Sequence, residues 1–160
     1  MLKSKSSLLA AAAASAGCLI LAAAPAGAAP YWQSVSTNST WSCAPTVVHT
    51  ARAGVGFQAC LVRSALDNAQ VVLVVVNNSP SAVTVSGTVT ADFAAEAGCS
   101  SYTLAAGERR GCFGTTAHVP DCLFGAGYPD EQTYGGTVRL TVNGVADTTQ
   151  SPRTDCVATA

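Results

Sequence analysis

Six cysteines in the body of this chain, Cys43, Cys60, Cys99, Cys112, Cys122 and Cys156, are its densest chemistry. Thiols of this kind either hold metal or cross-link backbone. A zinc site needs Cys-x-x-Cys pairs or a mixed Cys/His cluster so that four ligands converge on one ion, and the sequence has neither. In a chain that leaves the cytosol, an even number of cysteines reads instead as about three disulfides. Sequence neighbours pair as Cys43–Cys60 across one hairpin and Cys99–Cys112 across another, which leaves Cys122 for Cys156. Spacing alone leaves other pairings open. Loops of these sizes would each add on the order of 3 kcal/mol by restricting the unfolded chain.

Catalysis needs a nucleophile, a base and an orienting group, or a bound metal. Histidine, the usual base, occurs only as His49 and His118. His49, in Thr46-Val47-Val48-His49-Thr50, reads as a strand histidine pointing to solvent. His118 lies close to Asp121, and that pair could act as base and orienting carboxylate. No Gly-x-Ser-x-Gly elbow, His-Glu-x-x-His helix or Gly-rich phosphate loop accompanies either histidine. Asp92 and Glu96 could form an acid–base pair, although Asp92 falls on the polar face of a strand and Glu96 in the Ala-rich connection to Cys99. Asp130-Glu131 could offer oxygens to calcium but lacks a regular Asp-x-Asp loop and reads as a solvated turn. The sequence therefore predicts no enzyme, no cofactor and no metal site.

Aromatic residues carry the binding signal. Tyr31, Trp32 and Trp41 near the start of the body, with Tyr128 and Tyr134 in a loop-rich segment, could form a platform on which sugar rings or a partner surface stack. Trp32, Trp41, Tyr128 and Tyr134 are the candidate binding surface. Arg109-Arg110, beside Cys112, would present a basic hairpin tip.

The elements that must position these groups begin with an address. Met1-Leu2-Lys3-Ser4-Lys5, an apolar run from about Leu8 to Ala24 and then Ala26-Gly27-Ala28 have the layout of a secretory signal cut after Ala28. Residues 1–28 are predicted to leave as a signal peptide, and 29–160 to form a single extracellular domain of roughly 130 residues around one core. Lys3, Lys5 and Met1 leave with the signal, so six scattered arginines face nine acids, 6 − 9 = −3. Nucleic acid is excluded as a partner because phosphate binding needs a concentrated basic surface. Ser15-Ala16-Gly17-Cys18 resembles the bacterial lipoprotein cleavage box, but Ser15 stands where Leu is usual and the apolar stretch runs on through Leu19-Ile20-Leu21. No lipid anchor at Cys18 is predicted. No other segment approaches the ~20 apolar residues of a membrane helix.

Strand signals dominate the body. From Ala82 to Phe93 the chain alternates, with Val83, Val85, Gly87, Val89 and Ala91 on one face and Thr84, Ser86, Thr88 and Thr90 on the other, the mark of a half-buried strand. Gln70 to Val76 is apolar on both faces, and Asn77-Asn78-Ser79-Pro80-Ser81 between the runs is rich in turn formers. The two runs are predicted to form an antiparallel hairpin. Thr137 to Val142 alternates again, and Asn143-Gly144 supplies a type I′ turn to a partner strand from Val145 to Thr149. Weaker strands are expected around Trp32–Ser36, Pro45–Ala51, Val55–Arg63, Ser101–Leu104 and Arg109–Thr115. Gly87 marks a bulge or a close backbone approach. Val119–Gly136 reads as a long loop held by Cys122, and Gln150–Ala160 as a patternless tail held by Cys156. Short strands at close spacing make an all-β antiparallel sandwich of about seven to nine strands the expected architecture.

The run from Gln70 to Thr115 resembles bacterial immunoglobulin-like modules of the cell-adhesion-related type. An apolar strand, an Asn-Asn-Ser-Pro turn, an alternating strand and then Leu104-Ala105-Ala106-Gly107-Glu108 before another strand carry the likeness. Asn78-Ser79 stands where those modules often have Asn-Thr-Gly, and Ala106 where they have Pro. The Ala-rich start and the Thr/Val/Gly/Cys-rich body are also similar to small secreted proteins of actinobacteria. The resemblance implies an immunoglobulin-like sandwich and transfers no functional residue. The function expected is a secreted, non-enzymatic binding or surface-interaction module for a glycan or another extracellular protein. An inhibitor of secreted proteases, displaying Ala105–Cys112 or Val119–Pro129, is the alternative, and a small hydrolase built on His118 and Asp121 is the third.

Overall fold

In the computed structural model, which describes residues 32–38, 40–119 and 132–156, the run that is apolar on both faces becomes a strand buried on both faces. It lies at the centre of a sheet, because only flanking strands and a layer on each side can take water from every side chain at once. The strands in chain order are β1 (Trp32–Gln33), β2 (Trp41–Cys43), β3 (Val47–Val48), β4 (Val55–Arg63), β5 (Asn68–Asn77), β6 (Val83–Ala91) and β7 (Ala97–Leu104). They continue as β8 (Arg109–Phe113), β9 (Ala117–His118), β10 (Thr133–Tyr134), β11 (Gly136–Val142), β12 (Val145–Gln150) and β13 (Thr154–Asp155). Among the described residues every pairing is antiparallel and there is no helix.

One sheet runs β1-β8-β5-β4-β2, with β3 also on β4 and β9 on β5; the second runs β12-β11-β6-β7; β10 and β13 form a separate two-stranded ribbon. The sheets stack as a sandwich. Val71, Leu73 and Val75 of β5 meet Val85 and Val89 of β6 and Val138, Leu140 and Val142 of β11 in one buried cluster. The opposite side chains of the first sheet, Cys60, Val72 and Val74, form a second, smaller cluster on its outer face under Trp41, Phe113, Val35 and Val62.

The expected hairpin between Gln70–Val76 and Ala82–Phe93 is not formed. Both edges of β5 are already taken, by β4 and β8, so the chain leaves that sheet and β6 starts the other one against β7 and β11. Asn77, fully buried, builds the corner. Its amide donates to the carbonyls of Ser81, Leu104 and Ala105 at 2.9, 3.0 and 3.1 Å, and its Oδ1 accepts from the Ser79 N–H and hydroxyl. For the same reason Cys99–Cys112 does not close a hairpin: it joins β7 of one sheet to β8 of the other. Cys43–Cys60 does link paired antiparallel strands, with Cα atoms 4.0 Å apart in directly opposed positions of β2 and β4. The register then slips by one residue between Cys43↔Cys60 and Val47↔Phe57, at Pro45, which cannot donate to a ladder and so sits on an edge.

Other expectations hold in detail. Asn143 and Gly144 both take positive φ, 50° and 86°, and join β11 to β12 in the tight turn their residue types favour. At Gly87 the register of β6 against β7 shifts, and a Cβ there would lie 2.7 Å from Leu73 Cδ2 and 3.1 Å from the Trp32 ring. The tail has more order than expected: β13 pairs β10, and the Cys156 N–H donates to the Gln132 carbonyl at 3.0 Å. Two disulfides are present among the described residues, and Cys156 belongs to neither. Its expected partner Cys122 lies outside the described residues, as do Cys18, the signal segment and Tyr128. The two bridges fit an oxidising, extracellular setting, and no helix among the described residues is long and apolar enough to cross a membrane.

Candidate functional site

Trp32, Trp41 and Tyr134, the described residues of the platform that the sequence offers, are not brought to one surface. Trp32 packs on the main core and donates its indole N–H to the Ser100 carbonyl at 2.8 Å, which closes the side of the sandwich between β1 and β7. Tyr134 is interior, 2% exposed, edge-on to Phe93 at 5.4 Å. Among the described residues its buried hydroxyl has no hydrogen-bond partner, and burial pushes its ionisation above the ordinary tyrosine range. Trp41 lies on the outer cluster, edge-on to Phe113 at 6.0 Å. Alternation decides these places: neighbouring side chains of a strand point to opposite faces, so aromatic residues on different strands converge only if their registers agree.

Of the groups considered for catalysis, Asp92 and Glu96 take different partners. His118 is exposed on β9, its Nδ1 3.1 Å from the Val119 carbonyl, and Asp121 lies outside the described residues, as do Asp130 and Glu131. Asp92 engages Arg153 at 2.5 Å, while Glu96 accepts from the Thr90 hydroxyl at 2.9 Å. His49, expected at the surface, is 1% exposed, and it is Val47 and Val48 that face solvent. The edge strand turns inward there. His49 Nδ1 accepts from the Ala51 N–H at 3.1 Å, which places the ring proton on Nε2, 3.2 Å from the Leu140 carbonyl. Asp147 stands 3.6 Å from Nδ1 and accepts from the Thr50 N–H and hydroxyl. Those Thr50 bonds, backbone first, hold the Asp147 carboxyl below its ordinary range. Among the described residues no cluster of His, Cys, Asp and Glu could hold a metal.

Arg110 is locked in place. Its guanidinium meets Glu108 at 2.6 Å, the Tyr102 hydroxyl and Ser34, and it lies over the Tyr102 ring. Glu108 in turn accepts from the Ala105 N–H at 2.7 Å. That backbone bond, with those from Tyr102 and Arg110, keeps its carboxyl below the ordinary range. The pair stiffens the Ala105–Glu108 turn instead of presenting a free basic tip.

A different constellation is open to solvent. At the outer edge of the first sheet, where β2 is the last strand, a groove of about 350 Å³ is bounded by Thr40, Trp41 and Ser42, by Leu61, Arg63 and Ser64 at the end of β4, and by Arg153 and Thr154 of the tail. Arg63 is exposed, and its guanidinium makes no ion pair or hydrogen bond among the described residues. Arg153 is oriented from behind by Asp92 and by the Thr133 hydroxyl and carbonyl. The Ser64 hydroxyl accepts the N–H groups of Leu66 and Asn68, both at 3.2 Å, which leaves its own proton to donate outward. Among the described residues no carboxylate lines the groove. It therefore offers positive charge and donors to an incoming group.

Sequence reasoning missed this site because Arg63 and Arg153 are ninety residues apart and individually unremarked. Only the β2–β4 pairing and the β10–β13 ribbon bring the two arginines to one groove. Arg63, closing a strand that is apolar but for Gln58, was the one signal available. No family model matches the chain, and neither a curated protein nor a solved structure matches it.

Proposed function

We propose that the protein is a non-enzymatic binding module working outside the cytosol, an immunoglobulin-like sandwich exported by its first 28 residues, which engages its partner at the Arg63–Arg153 groove. The carrying observation is the groove itself, an open concavity in which Arg63, unpaired among the described residues, stands beside an oriented Arg153. The immunoglobulin-like reading draws support from the strand order: β5 lies beside β8 in one sheet while β6, which follows β5, lies beside β11 in the other. An inter-sheet disulfide with a tryptophan near it is a hallmark of that architecture, and Trp32 sits opposite Cys112 in register. Here the bridge joins β7 and β8 near one side of the sandwich. A third bridge, Cys122–Cys156, belongs to the same proposal.

Affinity recovery tests the reading, with the oxidised full chain as bait against the producing cells' envelope and medium. Wild-type bait is expected to retain a component that Arg63→Glu bait loses. Equal retention by both would move the site elsewhere, and no retention by either would end the binding-module reading.

A protease inhibitor is the second reading, favoured by the exposed Ala105–Gly107 turn that Glu108 and Asn77 hold rigid. Rigid display lowers the ordering cost of binding. Failure to slow any secreted protease at a one-to-one ratio removes it.

A further inference from the structure

We infer that the groove at the β2 edge is selective for a carboxylate-bearing sugar, with Arg63 as the residue that recognises the acid group; this rests on the binding-module reading above. Three features carry it. Among the described residues the groove is lined by two arginines and no acid side chain, on a body that is otherwise net acidic; Arg153 is balanced by Asp92, so the charge of Arg63 selects an anion. Among the described residues Arg63 has no ion pair or side-chain hydrogen bond, and its planar fork matches a carboxylate in bidentate geometry. Arg153, ion-paired with Asp92 and held by Thr133, adds a positioned hydrogen-bond donor without the freedom to turn away.

The walls then argue for a sugar as the carrier. Beside the arginines stand short hydroxyl side chains: Ser64, with its proton free to donate, and Thr40, whose hydroxyl donates to Asn38 Oδ1 at 2.6 Å and so keeps lone pairs to accept. Donors and acceptors at close spacing suit the hydroxyls of a ring. The volume, about 350 Å³, lies at the low end of small-ligand sites. An extended acidic peptide fits less well, because β2 is three residues long and its Trp41 N–H is already given to Asn38. Too little of the edge is left to template a strand.

The test is a titration of the oxidised full chain, followed by nitrogen–proton correlation spectra, with trigalacturonate, with its uncharged methyl ester and with sodium sulfate at constant ionic strength. Trigalacturonate is expected to shift the signals of Thr40, Ser42, Ser64 and Thr154 saturably and leave the Trp32 indole signal in place. The ester should bind about tenfold more weakly or worse, the loss of one charge-assisted contact, and Arg63→Gln should weaken trigalacturonate similarly without moving the thermal midpoint. Arg153→Gln is the second variant, expected to weaken trigalacturonate as well. Absence of saturable shifts, an ester that binds as tightly as the acid, or unchanged affinity in Arg63→Gln each overturns the inference. Sulfate binding as tightly as trigalacturonate would also overturn it, leaving a bare oxyanion site. In all these cases the binding-module reading stands or falls separately, on whether the bait retains any component at all.

Discussion

His49 shows how one buried polar side chain can be tied into both sheets. It accepts from Ala51 in the turn after β3 and donates to Leu140 of β11, and beside it Asp147 of β12 takes both donors of Thr50. His49→Ala is expected to cost about 2–4 kcal/mol, a cavity plus two unpaired backbone groups, with His49→Gln costing less; urea unfolding reads both. Asn77 behaves alike at the inter-sheet corner. Asn77→Asp keeps the shape but aims a carboxylate at the carbonyls of Ser81, Leu104 and Ala105, so its loss of stability should be larger at neutral pH than in acid, where the group protonates. Asp147 titrates in the opposite sense. Its folded carboxyl ionises more readily than in the unfolded chain, so its contribution is complete above the ordinary carboxylate value and disappears as pH falls through the lower folded one. Thermal melts between pH 2 and 6 should show a shallower acid decline for Asp147→Asn than for wild type.

At the scale of elements, the strands were the most legible part. Val55–Arg63 is a strand with the expected bounds, and Thr137–Val142 differs by a single residue at its start, because two-residue alternation and flanking Gly, Pro and Asn report local geometry directly. Which strands pair was less legible. Gln70–Val76 and Ala82–Phe93 are adjacent in sequence and read as a hairpin, yet which neighbours β5 takes is settled by β8, which arrives some thirty residues later. Gly87 lies against Leu73 of the opposite sheet and the Trp32 ring. Gly87→Ala should cost about 1–3 kcal/mol in urea unfolding, since Leu73 and the Trp32 ring must shift inside a filled core. A change with no loss of stability would mean that the Trp32 side of the sandwich has room to spare.

At the scale of the whole molecule, two bridges do different work: Cys43–Cys60 ties an edge strand to its neighbour, while Cys99–Cys112 ties the sheets to each other. Replacing either pair with serine should lower stability by about 2–4 kcal/mol through a freer unfolded chain. Mass mapping of unreduced peptides should return both cross-links; any other partner for Cys43, Cys60, Cys99 or Cys112 would contradict the fold. Thiol labelling of Cys122 and Cys156 tests the third bridge. The surface follows the same scale argument: the groove draws on the ends of strands from one sheet and on the tail, so no local stretch of chain contains it.

Composition and alternation alone determined that this chain is built of strands, that β5 is covered on both faces, and that Asn143-Gly144 turns the last hairpin. Those properties depend on residues within a few positions of one another, where side-chain direction follows from backbone period. The partners of β5, the burial of His49, the inter-sheet role of Cys99–Cys112 and the meeting of Arg63 with Arg153 were decided by tertiary structure. Each depends on which distant strand wins an edge or a face, a choice made by the free energy of burying the whole core at once.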